Sequence, residues 1–371
     1  KPLTVLELES SMNWGGQEER LLREIQWLNR HGHRAILACH QSSAIARHAA
    51  SAGVDFHHVP MRSTVDIPGF AKLVALVRSE KPDIIHARSS KDSWFALWFH
   101  QAGIPVGRSR HITLSEQMPH GRKLIYRHGC RRLIASAGFI ADNMRNVIGF
   151  APDRVEVIGE CVDPEEFHPG DGSAFRQESG IAPEAPFFAV VAMLRGEKGQ
   201  MIFARAAREV IRRRPDARFA IVGGNAKSTS LERALKDFIA AEFPGRAEPP
   251  IIMTGFRKDV PVIMRAIDCL VVPSTKDAQT LVIPQAFATG KPVIATRVGG
   301  IPDLVRDGSK GLLIPANDNM ALAEAMLKLA ADPALARKLG DAGYAFALRE
   351  LTTDHKMAEL VACYRRAIRG D

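Results

Sequence analysis

Five clusters in this sequence combine residue types and spacing that could do chemistry. At Trp14-Gly15-Gly16-Gln17-Glu18-Glu19, two glycines separate an apolar run from a helix pattern. Glycine lets a backbone approach a ligand closely, and a helix N-terminus can hold an anion. The pair therefore suits a phosphate or a sugar, and a plain turn is the other reading. Arg195 and Lys198 open a helix pattern after the apolar run Phe187–Met193. Two cations there could neutralise a diphosphate and the charge developing on it; alone, they read equally as a solvated loop. The third cluster is Asp277-Ala278-Gln279-Thr280-Leu281-Val282-Ile283-Pro284-Gln285. Its acid and terminal amide could bind sugar or ribose hydroxyls. Backbone N–H groups near Thr280, Leu281 and Val282 could receive an anion. The alternative is an ordinary helix start, where Asp277 favours the dipole. The fourth is Arg110-His111, at the end of a short strand. The fifth is basic: Arg108, Arg110, Arg122, Lys123, Arg127, Arg131 and Arg132 against the single acid Glu116. Lys123, Arg127 and Arg131 stand at i, i+4, i+8, which predicts one helix face. Such a face fits an anionic bilayer or a phosphorylated acceptor, or it is simply solvated.

These clusters need strands and helices to position them. Short β-branched runs alternate with amphipathic stretches, the pattern of βαβ units around a parallel sheet. Leu3–Leu8 reads as a strand, then a helix from about Glu18 to Arg30, then strands at His33–Ala38 and Ile84–His86. The pattern restarts with Phe187–Met193, followed by strands at Phe219–Val222, Ile251–Thr254, Cys269–Val272, Pro292–Ala295 and Gly311–Ile314. An apolar helix segment is expected over Ala286–Thr289. The expectation is two Rossmann-like doubly wound α/β domains facing a central cleft. They span 1–165 and 166–354, with a C-terminal helix at 355–371 that could pack back on the first domain. Turn signals at Asp163-Pro164, Pro169-Gly170 and Asp171-Gly172 mark the break near Val162–Gly180. Ligands of such sheets bind outside the carboxyl ends of the strands, where most of these clusters fall.

The 371 residues carry a net charge of +9, which favours anionic partners without choosing among them. The five cysteines are dispersed and odd in number, which argues for free thiols rather than a disulfide framework. No run of about 18 apolar residues occurs, and the start reads as a strand rather than a signal peptide. A cytoplasmic protein follows as the expectation, with any membrane contact peripheral, on the inner face of the cytoplasmic membrane. Asp-X-Asp, Walker, G-x-S-x-G, H-E-x-x-H and G-x-G-x-x-G motifs are absent from the sequence.

Together these elements resemble the family-4 retaining glycosyltransferases of the GT-B fold, which include bacterial lipopolysaccharide and glycolipid transferases. The string from Gly290 to Asp303, the segment Gly311-Leu-Leu-Ile-Pro and the stretch Val157–Phe167 carry the likeness most specifically. The resemblance implies transfer of a sugar from a nucleotide-diphosphate donor to an acceptor, with retention and without a metal or other cofactor. It places Gly15 and Gly16 near the diphosphate, His111 near the donor sugar, and the nucleotide base near Gly255 and Phe256. Arg195, Lys198 and the N–H groups of Leu281 and Val282 would stabilise the leaving diphosphate. The family's paired glutamates fall on Asp277, against the sugar, and Gln285, against the ribose. Thr280 stands where the family has glycine, and Arg195 lies two residues later than the usual arginine. The implied partners are a nucleotide sugar (UDP, GDP or ADP), a glycan or glycolipid acceptor that could be phosphorylated, and an anionic membrane, with no role for nucleic acid. Two other readings stand beside it: a nucleotide-sugar 2-epimerase on the same fold, and a catalytically impaired nucleotide-binding subunit. The missing dinucleotide fingerprint argues against a nicotinamide-dependent dehydrogenase.

Overall fold

The protein is described from a computed structural model covering residues 1–115, 120–224, 229–244, 249–278 and 280–371. It divides into two compact units, Lys1–Gly159 with Lys356–Asp371, and Glu160–His355.

The first unit is a seven-stranded sheet of order β3-β2-β1-β4-β5-β6-β7, every neighbour parallel. Its strands are β1 (Thr4–Glu9), β2 (Arg34–Cys39), β3 (Phe56–His58), β4 (Ile84–Ala87), β5 (Val106–Arg110), β6 (Arg132–Ala135) and β7 (Val155–Val157). Helices α1 (Gly16–Arg30), α2 (Ala44–Ser51), α3 (Ile67–Glu80), α4 (Asp92–Gln101), α5 (His120–His128) and α6 (Gly138–Asn143) connect them. The second unit has six parallel strands in the order β10-β9-β8-β11-β12-β13. They are β8 (Phe187–Val191), β9 (Arg218–Val222), β10 (Ile251–Gly255), β11 (Cys269–Val272), β12 (Val293–Thr296) and β13 (Leu312–Ile314). Helices α7 (Ser173–Glu178), α8 (Gln200–Arg213), α9 (Ser230–Glu242), α10 (Val260–Ala266), α11 (Val282–Ala288), α12 (Ile301–Leu304), α13 (Asn319–Ala331) and α14 (Pro333–Phe346) surround this sheet, and α15 (Thr353–Arg369) carries the chain back into the first unit.

Both units are doubly wound α/β sheets, as expected from the alternation of strand and helix patterns. All five residues of β8 are buried, because a parallel strand is covered on both faces. Its side chains alternate between two apolar layers, Phe187, Ala189 and Val191 in one and Phe188 and Val190 in the other. Winding reverses between β1 and β4 in the first sheet and between β8 and β11 in the second. At such a reversal adjacent loops diverge at the carboxyl edge and leave a crevice.

Three expectations need correction. The two units divide between Gly159 and Glu160, ahead of the break expected near Val162–Gly180, and that stretch packs into the second unit. Phe167, Phe175 and Ile181 are buried in the core of the second unit. A Cβ on Gly172 would lie 2.2 Å from the Ala266 nitrogen, so this stretch is packed against α10. The basic stretch does not present one cationic helix face. Arg131 lies beyond the end of α5 and donates to the Ala367 and Ile368 carbonyls of α15 at 3.0 and 3.1 Å. Arg108 is buried with its guanidinium 3.6 Å from the Tyr126 ring centroid, and Arg132 is buried against Glu156 and the Asp371 carbonyl. The Arg122 side chain lies outside the described residues. Finally, the apolar segment expected over Ala286–Thr289 is the end of α11, which starts at Val282 beside the N–H groups expected to be free and stops at Ala288.

An ion-pair hub ties the first unit together. Arg88, just past β4, donates to Glu7 of β1 at 3.0 Å and to Glu24 of α1. Glu24 also accepts from Arg20 at 2.7 Å, and Arg20 reaches the Ile158 carbonyl at 3.1 Å. Tyr364 of α15 donates to Glu7 at 3.1 Å and sits 2.6 Å from His86 Nδ1, whose other nitrogen meets Ser109 of β5 at 2.9 Å. Burial alone would raise both carboxyls, but Arg88 beside them holds Glu7 and Glu24 below the usual range. Carboxyls depressed in the folded state stabilise it above their unfolded pKa, about 4.3 for glutamate. That contribution fades as pH falls below this value. Arg88→Met strands two buried carboxylates, so it should cost the first unit about 3–5 kcal/mol at neutral pH. Urea unfolding monitored by circular dichroism checks this, and acidification below about pH 4 should shrink the deficit as both carboxyls protonate.

Candidate active site

The carboxyl edge of the second sheet gathers most of the expected site residues at the β8/β11 reversal. Lys198 ends a short 3-10 turn, Gly196–Lys198, in the loop after β8. Asp277 lies in the loop after β11. Their charges meet at 2.7 Å, and Ser274 donates to the same Asp277 oxygen at 3.0 Å. The Asp277 side chain is 6% exposed and Lys198 25%, so the pair sits at the surface with the ammonium the more accessible partner. Backbone contacts fix this geometry. The Thr275 amide donates to the Glu197 carbonyl at 2.8 Å, and the Gly300 amide donates to the Ala278 carbonyl at 2.8 Å. Gly199 adopts φ +72°, and a Cβ there would lie 2.0 Å from the Pro273 oxygen. Only glycine allows the β8 and β11 loops to touch this closely.

The remaining second-unit residues are distributed around that pair. Arg195 is exposed, with its guanidinium 3.9 Å from Glu197. Gly255 has φ +69°, and Phe256 beside it is 75% exposed, a large apolar ring standing in solvent at the end of β10. The Gly223 amide donates to the Gly255 carbonyl at 2.9 Å, which draws the β9 and β10 ends together. Thr280, Leu281 and Val282 are half-buried where α11 begins, and Gln285 is half-buried in its first turn. Gln279 lies outside the described residues.

In the first unit the crevice at the β1/β4 reversal is polar. Glu9 ends β1 and accepts from the Ser11 amide, Gln17 and Ser89, each at 2.7 Å. Desolvation raises the Glu9 carboxyl and, far more, that of fully buried Asp92, which takes the Ser89 amide at 2.9 Å. Gly15 is the N-cap of α1 in an extended conformation, and a Cβ on Gly16 would meet nothing within 4 Å. Nothing in the fold itself requires glycine at either place; the space above Gly16 is open, and a Cβ on Gly15 would lie 3.4 Å from the Glu18 carboxylate. His111 follows β5. Desolvation, then Arg20 and Arg88, push its imidazole down to about 3, so it is neutral. Its Nε2 is buried and makes no hydrogen bond among the described residues.

Sequence reasoning brought Lys198 and Asp277 forward separately but did not foresee their ion pair. It also passed over Ser274, Glu9 and Ser89. Their positions at strand carboxyl ends beside the two reversals were the available signal, but a strand order cannot be read from one sequence. Among the described residues, no three His, Cys, Asp or Glu side chains are grouped to hold a metal ion.

Comparison with known proteins agrees with this architecture. Residues 14–166 match the family model Glycosyltransferase Family 4, and residues 185–332 match Glycosyl transferases group 1. The chain belongs to the family-4, group 1 glycosyltransferases. It is 33% identical to a D-inositol 3-phosphate glycosyltransferase of Nocardia farcinica over 56% of this chain and 47% of that protein. The chain thus spans about half the length of this curated relative. Two solved structures share the fold. One is a glycosyltransferase from Rickettsia africae, with TM-score 0.90, 18% identity and full coverage of both chains. The other is Anabaena HepE in complex with UDP, with TM-score 0.84, 21% identity and coverage of 97% and 99%.

Gly199→Ala must displace Pro273 or abandon its left-handed conformation, so it should destabilise the second unit by at least about 2 kcal/mol. Thermal unfolding reads that loss. An unchanged transition would mean that the two loops tolerate separation.

Proposed function

We propose that this chain transfers a sugar from a nucleotide-diphosphate donor to an acceptor hydroxyl, with retention of anomeric configuration and without a metal. The observation that carries the reading is the Lys198–Asp277 pair at the β8/β11 reversal, on a chain of this family. Lys198, with Arg195 on the same loop, supplies positive charge to the departing diphosphate. Asp277 accepts from sugar hydroxyls, and the half-buried amide of Gln285 bonds the ribose. Backbone N–H groups at Thr280, Leu281 and Val282 face the phosphates, and Phe256 and Gly255 take the base. In a front-face reaction the bond from the anomeric carbon to the diphosphate breaks as the acceptor oxygen adds on the same side. The acceptor's proton passes to the leaving phosphate oxygen. The UDP bound to Anabaena HepE supports a uridine donor.

The first unit selects the acceptor, and its His111 suits a sugar hydroxyl. A neutral imidazole with an unpartnered nitrogen can accept from or donate to a hydroxyl, as a neutral donor–acceptor ring does. The open space over Gly16 suits a phosphate or sugar. The name of the Nocardia relative supports a phosphorylated acceptor. Lipopolysaccharide, glycolipid or surface-polysaccharide synthesis at the inner face of the cytoplasmic membrane is the setting this reading favours. Among the described residues no helix is long and apolar enough to cross a membrane.

A thermal-shift series with UDP, GDP, ADP and their sugar conjugates, with and without chelator, tests the reading. A nucleotide at 100 times its dissociation constant stabilises by about 2.7 kcal/mol. One base should shift the transition and chelator should not matter. Hydrogen bonds to charged groups contribute about 1.5–3 kcal/mol, so Lys198→Ala should weaken that nucleotide roughly ten- to hundredfold. Silence with every nucleotide would sink the proposal.

A further inference from the structure

The first unit exposes large apolar side chains near the place where Phe70 of α3 meets α4. Val65 is 80% exposed, Ile67 76% and Trp98 65%. Phe70 joins them: its ring centroid lies 6.4 Å from that of Trp98 and 5.6 Å from buried Phe99. Helical spacing extends the patch. Ile67, Ala71, Val74 and Arg78 fall on one side of α3, and Trp94 and Trp98 stand at i, i+4 on α4. Isolated exposed apolar residues are ordinary, but a contiguous group containing tryptophan marks an interaction surface.

Charge decides what that surface fits. Lys72 and Arg78 of α3 and Lys91 before α4 are exposed around the patch. None of the three is paired with a carboxylate among the described residues. The acids of this region are all committed elsewhere. Asp66 caps α3 through the Gly69 amide at 2.9 Å, Glu80 pairs with Arg34, and Asp92 is fully buried. The result is an apolar centre with a tryptophan, with Lys72, Arg78 and Lys91 exposed nearby and the Asp66 carboxylate held by the Arg62 and Gly69 amides. Tryptophan settles at the boundary between headgroups and acyl chains, and cations beside it are attracted to anionic lipid.

We propose that the α3–α4 face, with Val65, Ile67 and Trp98 at its centre and Lys72, Arg78 and Lys91 at its border, docks on an anionic lipid bilayer. It deepens the transferase reading, on which it rests for a lipid-linked acceptor. It also moves the membrane contact away from the basic stretch 108–132, whose arginines are largely spent inside the unit.

Flotation of the full chain with phosphatidylcholine vesicles, with and without phosphatidylglycerol, tests the assignment. The chain should float with the anionic vesicles and release as salt rises. Ile67→Asp with Trp98→Asp should weaken binding at least about tenfold, since each change places a carboxylate against the lipid. Trp98→Phe should retain it. Charge removal by Lys72→Gln, Arg78→Gln and Lys91→Gln should abolish the preference for phosphatidylglycerol. The thermal transition of each variant checks that it is folded, and these exposed sites should leave it unchanged. Failure of the native chain to float, or unchanged flotation of the double aspartate variant, overturns the proposal. So does a native dimer in sedimentation that the aspartate variant dissociates, because the face would then join two copies. UDP stabilisation, measured on the same samples, reports the donor site separately. If it persists while flotation fails, the surface assignment alone is lost; if flotation holds while every nucleotide is silent, the transferase reading is lost.

Discussion

Arg88 between two buried carboxylates is the interaction on which the first unit depends. A guanidinium taken out of water needs compensating charge and hydrogen bonds, or its burial is prohibitive. Glu7 and Glu24 supply both, and they come from β1 and α1, the elements flanking the Gly15-Gly16 loop. The same hub fixes His86 and, through Tyr364, seats α15 against the sheet. Because α15 arrives only after the whole second unit has been threaded, the ends of the chain are bound into one core. The crevice beside β1 and β4 is therefore positioned by charge pairing rather than by apolar packing alone.

The second unit reaches a comparable crevice by other means. Its loops are held by close backbone approach, at Gly199 over Pro273 and at Gly223 over Ala192, where a Cβ would lie 2.0 Å from each carbonyl oxygen. That leaves the charged side chains of the β8 and β11 loops unencumbered by structural duty. Lys198 and Asp277 neutralise one another at 2.7 Å. An aspartate is one methylene shorter than the glutamate of the family pattern, and here Ser274 and Lys198 hold its carboxylate in place.

The strand and helix alternation was legible because a parallel sheet writes near-continuous apolar runs such as Phe187–Val191. The strands β3 (Phe-His-His), β6 (Arg-Leu-Ile-Ala) and β7 (Val-Glu-Val) went unread because polar residues interrupt or flank their few apolar positions. The break was placed at Val162–Gly180 because its turn residues are conspicuous, whereas the units divide just ahead of it, at Gly159/Glu160. Its burial depends on Phe167 and Phe175 finding a distant core, which local composition does not encode. Lys198 and Asp277 were visible as types at strand ends, yet their meeting across 79 positions depends on strand order. The basic stretch failed for a related reason. A spacing of i, i+4, i+8 predicts one face only if the helix continues, and α5 stops at His128 before Arg131 is reached.

The fate of the arginines explains why a net charge of +9 is a poor guide to partners here. Many guanidiniums serve as internal caps on backbone carbonyls that parallel strands and helix ends leave unsatisfied. Arg131 does so at the end of α15, and Arg154 donates to the Cys130 and Arg131 carbonyls. Arg176 bonds the Ala182, Pro183, Ala185 and Ala266 carbonyls. A planar five-donor group suits this work in a way that a lysine ammonium does not. Cations spent on carbonyls contribute to the formal total but offer little to an external anion. The cations left exposed include Arg195 on the loop after β8, and Lys72, Arg78 and Lys91 in the first unit. The electrostatic character of this protein is set by which cations the fold leaves over, and burial, more than composition, makes that selection.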